Sequence, residues 1–165
     1  MLPIVLDPTV LRIGLAGAGE GFARRRATLA DGGVEPVPTQ SDAPLTGLQL
    51  LFVAGLERSA ASALAARARA AGVLVNVEDV PELCDFHVPA IIRRGDLALT
   101  VSTGGKAPGL SRLLREWLEQ IFDMEWREKL EMLGAARAGW RAAGLTPPKV
   151  SRRTRDLVAR EGWLK

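Results

Sequence analysis

Two glycine-rich stretches hold the residues best suited to chemistry. The first, GLAGAGEGF at 14–22, sets Gly17, Ala18, Gly19, Glu20, Gly21 and Phe22 in the frame G-x-G-x-x-G, with Phe22 at the third glycine position. In that frame Gly17 permits a tight turn and Gly19 lets the backbone close on a pyrophosphate at a helix N-terminus. The second stretch, STGGKAP at 102–108, offers two hydroxyls, two unhindered backbone positions and a cation in Ser102, Thr103, Gly104, Gly105 and Lys106. It does not satisfy the phosphate-loop pattern G-x-x-x-x-G-K-[ST], so a second nucleotide loop is not implied.

The front motif is incomplete in two respects. Phe22 is expected to push the helix outward where a third glycine would allow close helix–strand packing. Glu20 places a negative charge near the position of the phosphates. The acidic residue expected about 20 positions further on, for the ribose hydroxyls, is absent. Thr39 and Gln40 fall there instead, and no arginine stands ready for a 2′-phosphate, which favours NAD over NADP. The competing reading is a tight strand–helix turn that binds nothing. Arg24, Arg25 and Arg26 point in three directions on one helix, so at least one is expected to be a solvated surface charge, and one facing an anionic ligand is the lesser alternative. His87 and Cys84, three residues apart, do not make a metal site.

The elements that must position these residues follow from hydrophobic patterning. LPIVL (2–6) and VLRIGLAG (10–17) read as two strands split by the turn DPT. A helix over 20–31 stops at Gly32 and Gly33, and VEPV (34–37) reads as an edge strand because of its prolines. LQLLFVAG (48–55) is the continuous apolar run of a strand covered on both faces. Ser59 is expected to cap an Ala-rich helix running to Ala71, before the strand VLVNV (73–77). This alternation predicts a doubly wound parallel sheet. The pattern then changes. VPAII (88–92) and LALTVS (97–102) flank RRGD as a hairpin. Leu110, Leu113, Leu114, Trp117, Leu118 and Ile121 mark an amphipathic helix for which Pro108 suits the first turn. Helical spacing continues through Trp126 to Trp140, LTPPK (145–149) reads as a break, and a basic helix follows over 151–160.

Bulk properties narrow the class. The 165 residues have room for one full domain, with 47% hydrophobic and 25% charged residues and a formal net charge of +3. That charge is too mild to imply nucleic acid. Only four cations are lysines, and the arginine bias suits bidentate contacts with carboxylate or phosphate. A single cysteine, no leader and no apolar run of about 18 residues point to a cytoplasmic protein with no membrane partner.

The stretch 75–119 resembles the precorrin-2 dehydrogenase family, the NAD-dependent module of siroheme synthase. The words that carry the resemblance are NVxD (76–79), CDFxxPA (84–90), RGDL (94–97) and STGGxxP (102–108), followed by LRExLE. LPIVLD and GAGxxxARRRxxL extend it over about residues 1–122. It implies an α/β fold with a Rossmann-like NAD-binding domain over 1–81, a hairpin and helical dimerisation region over 82–112, and a helical tail over 113–165. It also implies a homodimer that oxidises precorrin-2 to sirohydrochlorin with NAD, and insertion of ferrous iron in some members.

By the same resemblance Asp79 and Ser102 fall at active-site positions, and Gly55, Asn76 and Val77 join the cofactor-binding set. A carboxylate after a sheet strand can accept a proton during dehydrogenation. The implied substrate carries many carboxylates, so Arg94, Arg112, Lys106 and outward-facing amides of Gly104, Gly105 and Lys106 are expected to receive them. Phe22 and VAGLERS (53–59) depart from the family at dinucleotide-facing segments and bear on NAD affinity rather than on fold. By the same comparison the tail after Trp140 is expected to be shorter than the family normally carries, with the methyltransferase activity expected to lie in another protein. The alternative reading is a non-catalytic carrier or sensor that binds tetrapyrrole or nucleotide.

Overall fold

A computed structural model describes residues 2–164 of the chain. They fall into two compact units, one ending at Val88 and the other beginning at Pro89. The first unit is built on four parallel strands, β1 (Ile13–Gly17), β2 (Val37–Thr39), β3 (Leu50–Ala54) and β4 (Leu74–Val77). Their order is β2-β1-β3-β4, and helices α1 (Gly19–Asp31) and α2 (Arg58–Ala70) make the crossovers. The architecture is the α/β, Rossmann-like arrangement that the alternating pattern predicts.

Side-chain alternation along β3 shows why the sheet needs both helices. Leu51 and Val53 enter an apolar cluster with Leu64, Ala65 and Ala68 of α2. Leu50 and Phe52 enter a second cluster with Ile13, Leu15 and Leu29 of α1. Every residue of β3 is buried, as a strand covered on both faces requires.

Several elements differ from the sequence reading. Residues 2–6 form no strand, and Leu2, Ile4 and Val5 are exposed. A strand exists only through a partner, and among the described residues these pair with nothing. The DPT turn does form, with Thr9 N–H donating to Asp7 Oδ1 at 2.9 Å. The strand predicted over 10–17 begins only at Ile13, and β2 lies three residues later than predicted, with Pro38 on the sheet edge, where it removes no ladder bond from a central strand. Ser59 is inside α2; Glu57 is the N-cap, and no side chain caps the helix.

β4 is an edge strand whose free side is closed by the CDF segment. The outward Val75 N–H donates to Asp85 Oδ2 at 2.9 Å, and Asp85 N–H returns a bond to Val75 O at 2.8 Å. Val77 N–H reaches Cys84 Sγ at 3.3 Å, and the thiol donates back to Val77 O at 3.2 Å. Two side chains thus stand in for a fifth strand, which removes an exposed ladder that could otherwise pair with another chain.

The second unit pairs β5 (Ala90–Arg94) with β6 (Leu97–Val101) as an antiparallel hairpin. Three helices follow, α3 (Pro108–Ile121), α4 (Trp126–Ala142) and α5 (Pro147–Arg160). The predicted break at LTPPK ends early, because Pro147 and Pro148 open α5 in the first turn, where a missing N–H costs nothing. α3 packs on the hairpin, and Leu114 and Leu118 of the helix are half-buried while Ile92 of β5 is buried. Its other apolar residues, Leu110, Leu113, Trp117 and Ile121, are exposed.

The edge closure sets a stability test. Asp85→Ala leaves the buried Val75 N–H without an acceptor and takes from Arg69 the ion pair in which its Nε donates to Asp85 Oδ1 at 2.8 Å, leaving its bond to Leu83 O. The expected loss is about 1–3 kcal/mol of unfolding free energy, read by urea denaturation.

Candidate functional site

Strand order reverses between β1 and β3, so a crevice opens at their carboxyl ends, the usual ligand position in such sheets. Two glycines make it. Gly17 has φ 131°, and a Cβ there would lie 1.7 Å from Ala54 O. Gly55 has φ 69°, and its Cβ would lie 2.0 Å from Ala18 O. Only bare backbone lets the two turns cross, and Ala18 N–H donates to Ala54 O at 3.3 Å across the junction. Gly19 starts α1 with φ 72°, and a Cβ there would meet nothing within 4 Å.

Ala18 is an extended N-cap, and no side chain caps α1. The first-turn amides and the positive end of the helix dipole therefore face open space lined by glycine, which fits a pyrophosphate. Glu20 is exposed in that turn. Thr39 and Gln40 stand at the carboxyl end of β2; the Thr39 hydroxyl donates to Val37 O at 3.0 Å, and Gln40 is exposed.

Phe22 does not force α1 away from the sheet, as the sequence reading expected. It packs on the cluster of Ile13, Leu15 and Phe52. Close approach is supplied one residue earlier, at Gly21, where a Cβ would lie 2.5 Å from Glu78 Oε2 and 3.3 Å from Gly55 N. Glu78, which the motifs did not single out, lodges its mostly buried carboxylate in that notch. Arg24 donates to Glu78 Oε1 at 3.1 Å, and Arg25 lies 3.9 Å from the same oxygen. Arg25 also lies over the Phe52 ring at 5.4 Å, and Arg26 pairs with Glu35. All three arginines thus have partners inside the chain.

Asp79 follows Glu78 with φ 59°, the one non-glycine residue in the left-handed region among those described. Aspartate tolerates this conformation better than most residues. Such backbone strain clusters at functional sites. The Asp79 side chain is exposed at the carboxyl end of β4. Asn76 and Val77 are buried on the strand before it, and Asn76 Nδ2 donates to Phe86 O at 2.9 Å. Their side chains serve the core and the edge closure, leaving the crevice to backbone.

The other candidates stand in the second unit. In STGGKAP, Gly104 and Gly105 take φ 64° and 78°. Two of the three amides expected to face outward turn inward. Gly104 N–H donates to Ser102 Oγ at 3.3 Å, and Lys106 N–H donates to Thr103 O at 3.2 Å. Among the described residues Gly105 N–H has no partner. The Ser102 hydroxyl, the Lys106 ammonium and the Gly105 amide remain open to solvent.

Arg94 is not the free carboxylate receptor expected of it. Its guanidinium donates to Phe122 O at 2.7 Å, to Asp123 O at 3.0 Å and to Arg93 O at 2.9 Å. It closes the carbonyl end of α3, where a cation suits the helix dipole. Arg112 is exposed and donates to Glu116 Oε1 at 2.9 Å, a contact that raises its already high pKa. Among the described residues no three metal-ligating side chains converge, and no helix is long and apolar enough to cross a membrane.

Comparison with known proteins agrees with this layout. Residues 4–90 match the family described as "Putative NAD(P)-binding", and residues 94–121 match "Sirohaem biosynthesis protein central". The siroheme synthase of Methylococcus capsulatus is 34% identical over 141 residues, covering 72% of this chain and 30% of that protein. That of Pseudoalteromonas atlantica is 33% identical over 155 residues, covering 80% and 33%. The chain thus spans about a third of the length of these relatives. Among solved structures, SirC, a precorrin-2 dehydrogenase, superposes with a TM-score of 0.76 at 16% identity, covering 96% of this chain and 89% of that one.

The notch at Gly21 can be tested by a double-mutant cycle. Gly21→Val should expel Glu78 and cost about 1–3 kcal/mol in urea denaturation. In the Glu78→Ala background the same change should cost less, because the displaced carboxylate is gone.

Proposed function

The chain belongs to that NAD(P)-binding family, and from this premise we propose that it oxidises precorrin-2 to sirohydrochlorin with NAD in siroheme biosynthesis. The observation that carries the reading is the glycine-built crevice ending beside a strained, exposed aspartate. NAD would supply the hydride acceptor. Gly17, Ala18, Gly19 and Gly55 would hold the pyrophosphate by backbone, since a side chain at 17 or 55 would collide with the carbonyl of Ala54 or Ala18 and force apart the two turns that shape the cradle. The arginine near that strand end, Arg67, spends its guanidinium on the main-chain carbonyls of Ser41, Asp42 and Ala43, so Thr39 and Gln40 suit a ribose lacking the 2′-phosphate.

Asp79 takes the proton released when the substrate carbon loses its hydride, or orients the macrocycle for that loss. Ser102, Gly105, Lys106 and Arg112 offer a hydroxyl, an amide and two cations to the substrate's carboxylates. Arg94 drops out of this set, because main-chain carbonyls already hold it. Iron insertion as a second activity follows from the resemblance alone. A cytoplasmic location fits this chemistry and the single free cysteine.

We read 82–112 as the dimerisation region and the protein as a homodimer. The exposed stripe of Leu110, Leu113, Trp117 and Ile121, which starts at the end of that region and runs on along α3 beyond it, favours a homodimer, since a large apolar face on one helix is unfavourable in water. Trp117→Glu should convert a dimer into a monomer, read by light scattering after size exclusion.

Turnover is tested by anaerobic incubation with precorrin-2 and NAD, following the sirohydrochlorin spectrum. Asp79→Asn keeps a residue that accepts the left-handed backbone and removes the base, so the rate should fall about 100-fold or more with NAD binding retained. A near-normal rate removes the proton-handling role. Tetrapyrrole bound by the wild type without turnover identifies a carrier instead.

A further inference from the structure

The paired helices α4 and α5 form a solvent-open cavity of about 380 Å³ within the second unit. Arg137 and Arg141 line it from α4, and Ser151 and Thr154 line it from α5. Leu145, Pro147 and buried Val150 form its apolar floor. None of these residues belongs to the sites described above.

The electrostatics of this wall are unusual for the chain. The arginines of α1, α2 and α3 and Arg127 of α4 have partners within the chain, as in Arg24 with Glu78, Arg115 with Glu119 and Arg127 with Glu131. Among the described residues, Arg137, Arg141, Arg152, Arg153 and Arg155 make no side-chain hydrogen bond and no ion pair. The one acid between 135 and 160 is Asp156. Arg137 and Arg141 are spaced i, i+4, so two like charges share one helix face, an arrangement that destabilises a helix unless an anion lies between them. Two guanidiniums opposite two hydroxyls match an oxyanion, and guanidinium suits bidentate contact with phosphate or carboxylate.

We propose that the α4–α5 cavity binds a small organic dianion, its charged oxygens held by Arg137, Arg141, Ser151 and Thr154 and its hydrocarbon part on the floor of Leu145 and Val150. The charge is either a phosphate monoester or a pair of carboxylates. This binding is independent of the dinucleotide crevice and of turnover.

The test is calorimetric titration of the full chain with inorganic phosphate and, separately, with citrate, at constant ionic strength set by sodium chloride. Saturable binding of either is expected, and the tighter one identifies the source of the charge. R137Q/R141Q should weaken it about tenfold or more, and S151A/T154V should weaken it without removing a charge. R152Q/R153Q, which removes two arginines that do not line the cavity, should leave it unchanged. The proposal is overturned by no saturable binding of either anion, by equal binding in R137Q/R141Q, or by an equal loss in R152Q/R153Q.

Discussion

The first unit depends on one place where two backbones touch. Ala18 and Ala54 meet across the carboxyl ends of neighbouring strands, and side chains at 17 or 55 would drive atoms to 1.7 and 2.0 Å. Glycine at both positions lets α1 begin directly over the strand-order reversal. The uncapped amides of α1 and the end of β3 then form one crevice. A strand–helix turn with ordinary side chains would hold the helix start away from β3 and leave no cradle. The same economy of space recurs at Gly21, where the missing side chain admits the Glu78 carboxylate and ties α1 to the end of β4.

The closing of β4 is the second constraint. A four-stranded sheet has two edges, and this one finishes its β4 edge with the side chains of Cys84 and Asp85 in place of a strand. The chain must turn sharply between β4 and that closure, and Asp79 stands in the turn with its left-handed backbone. The candidate base is thereby held by bonds on either side of it. Glu78 is clamped by Arg24, and Cys84 is bonded to Val77. A residue in a sparsely populated conformation persists only where its surroundings over-determine it, and here they do.

In the second unit, Arg94 joins the end of β5 to the last carbonyls of α3, fixing the helix against its hairpin. With α3 so anchored, Leu114 and Leu118 are half-buried on the hairpin side, and Leu110, Leu113, Trp117 and Ile121 stay exposed among the described residues. The division of one apolar stripe between a hairpin and the outside follows from the width of the stripe: Leu110 to Ile121 spans more of the helix surface than a two-stranded hairpin can bury.

What the sequence determined by itself is what depends on near neighbours along the chain. The continuous apolar run at 50–54, the alternation at 97–101 and the helical stripe after Pro108 each declare an element by local period, and Gly17 and Gly19 mark the crevice by position alone. The words NVxD and STGGxxP were equally legible as a resemblance. What tertiary structure decided concerns partners far apart in the chain. Residues 2–6 look like a strand yet have no strand to pair with. Arg94 reads as a free cation until carbonyls 25 to 29 residues later engage it. Glu78 is unremarkable until Gly21, 57 residues earlier, leaves room for it. Hydrophobic periodicity is a property of a segment, whereas a hydrogen bond or a close approach is a property of two segments, and only the folded chain says which two meet.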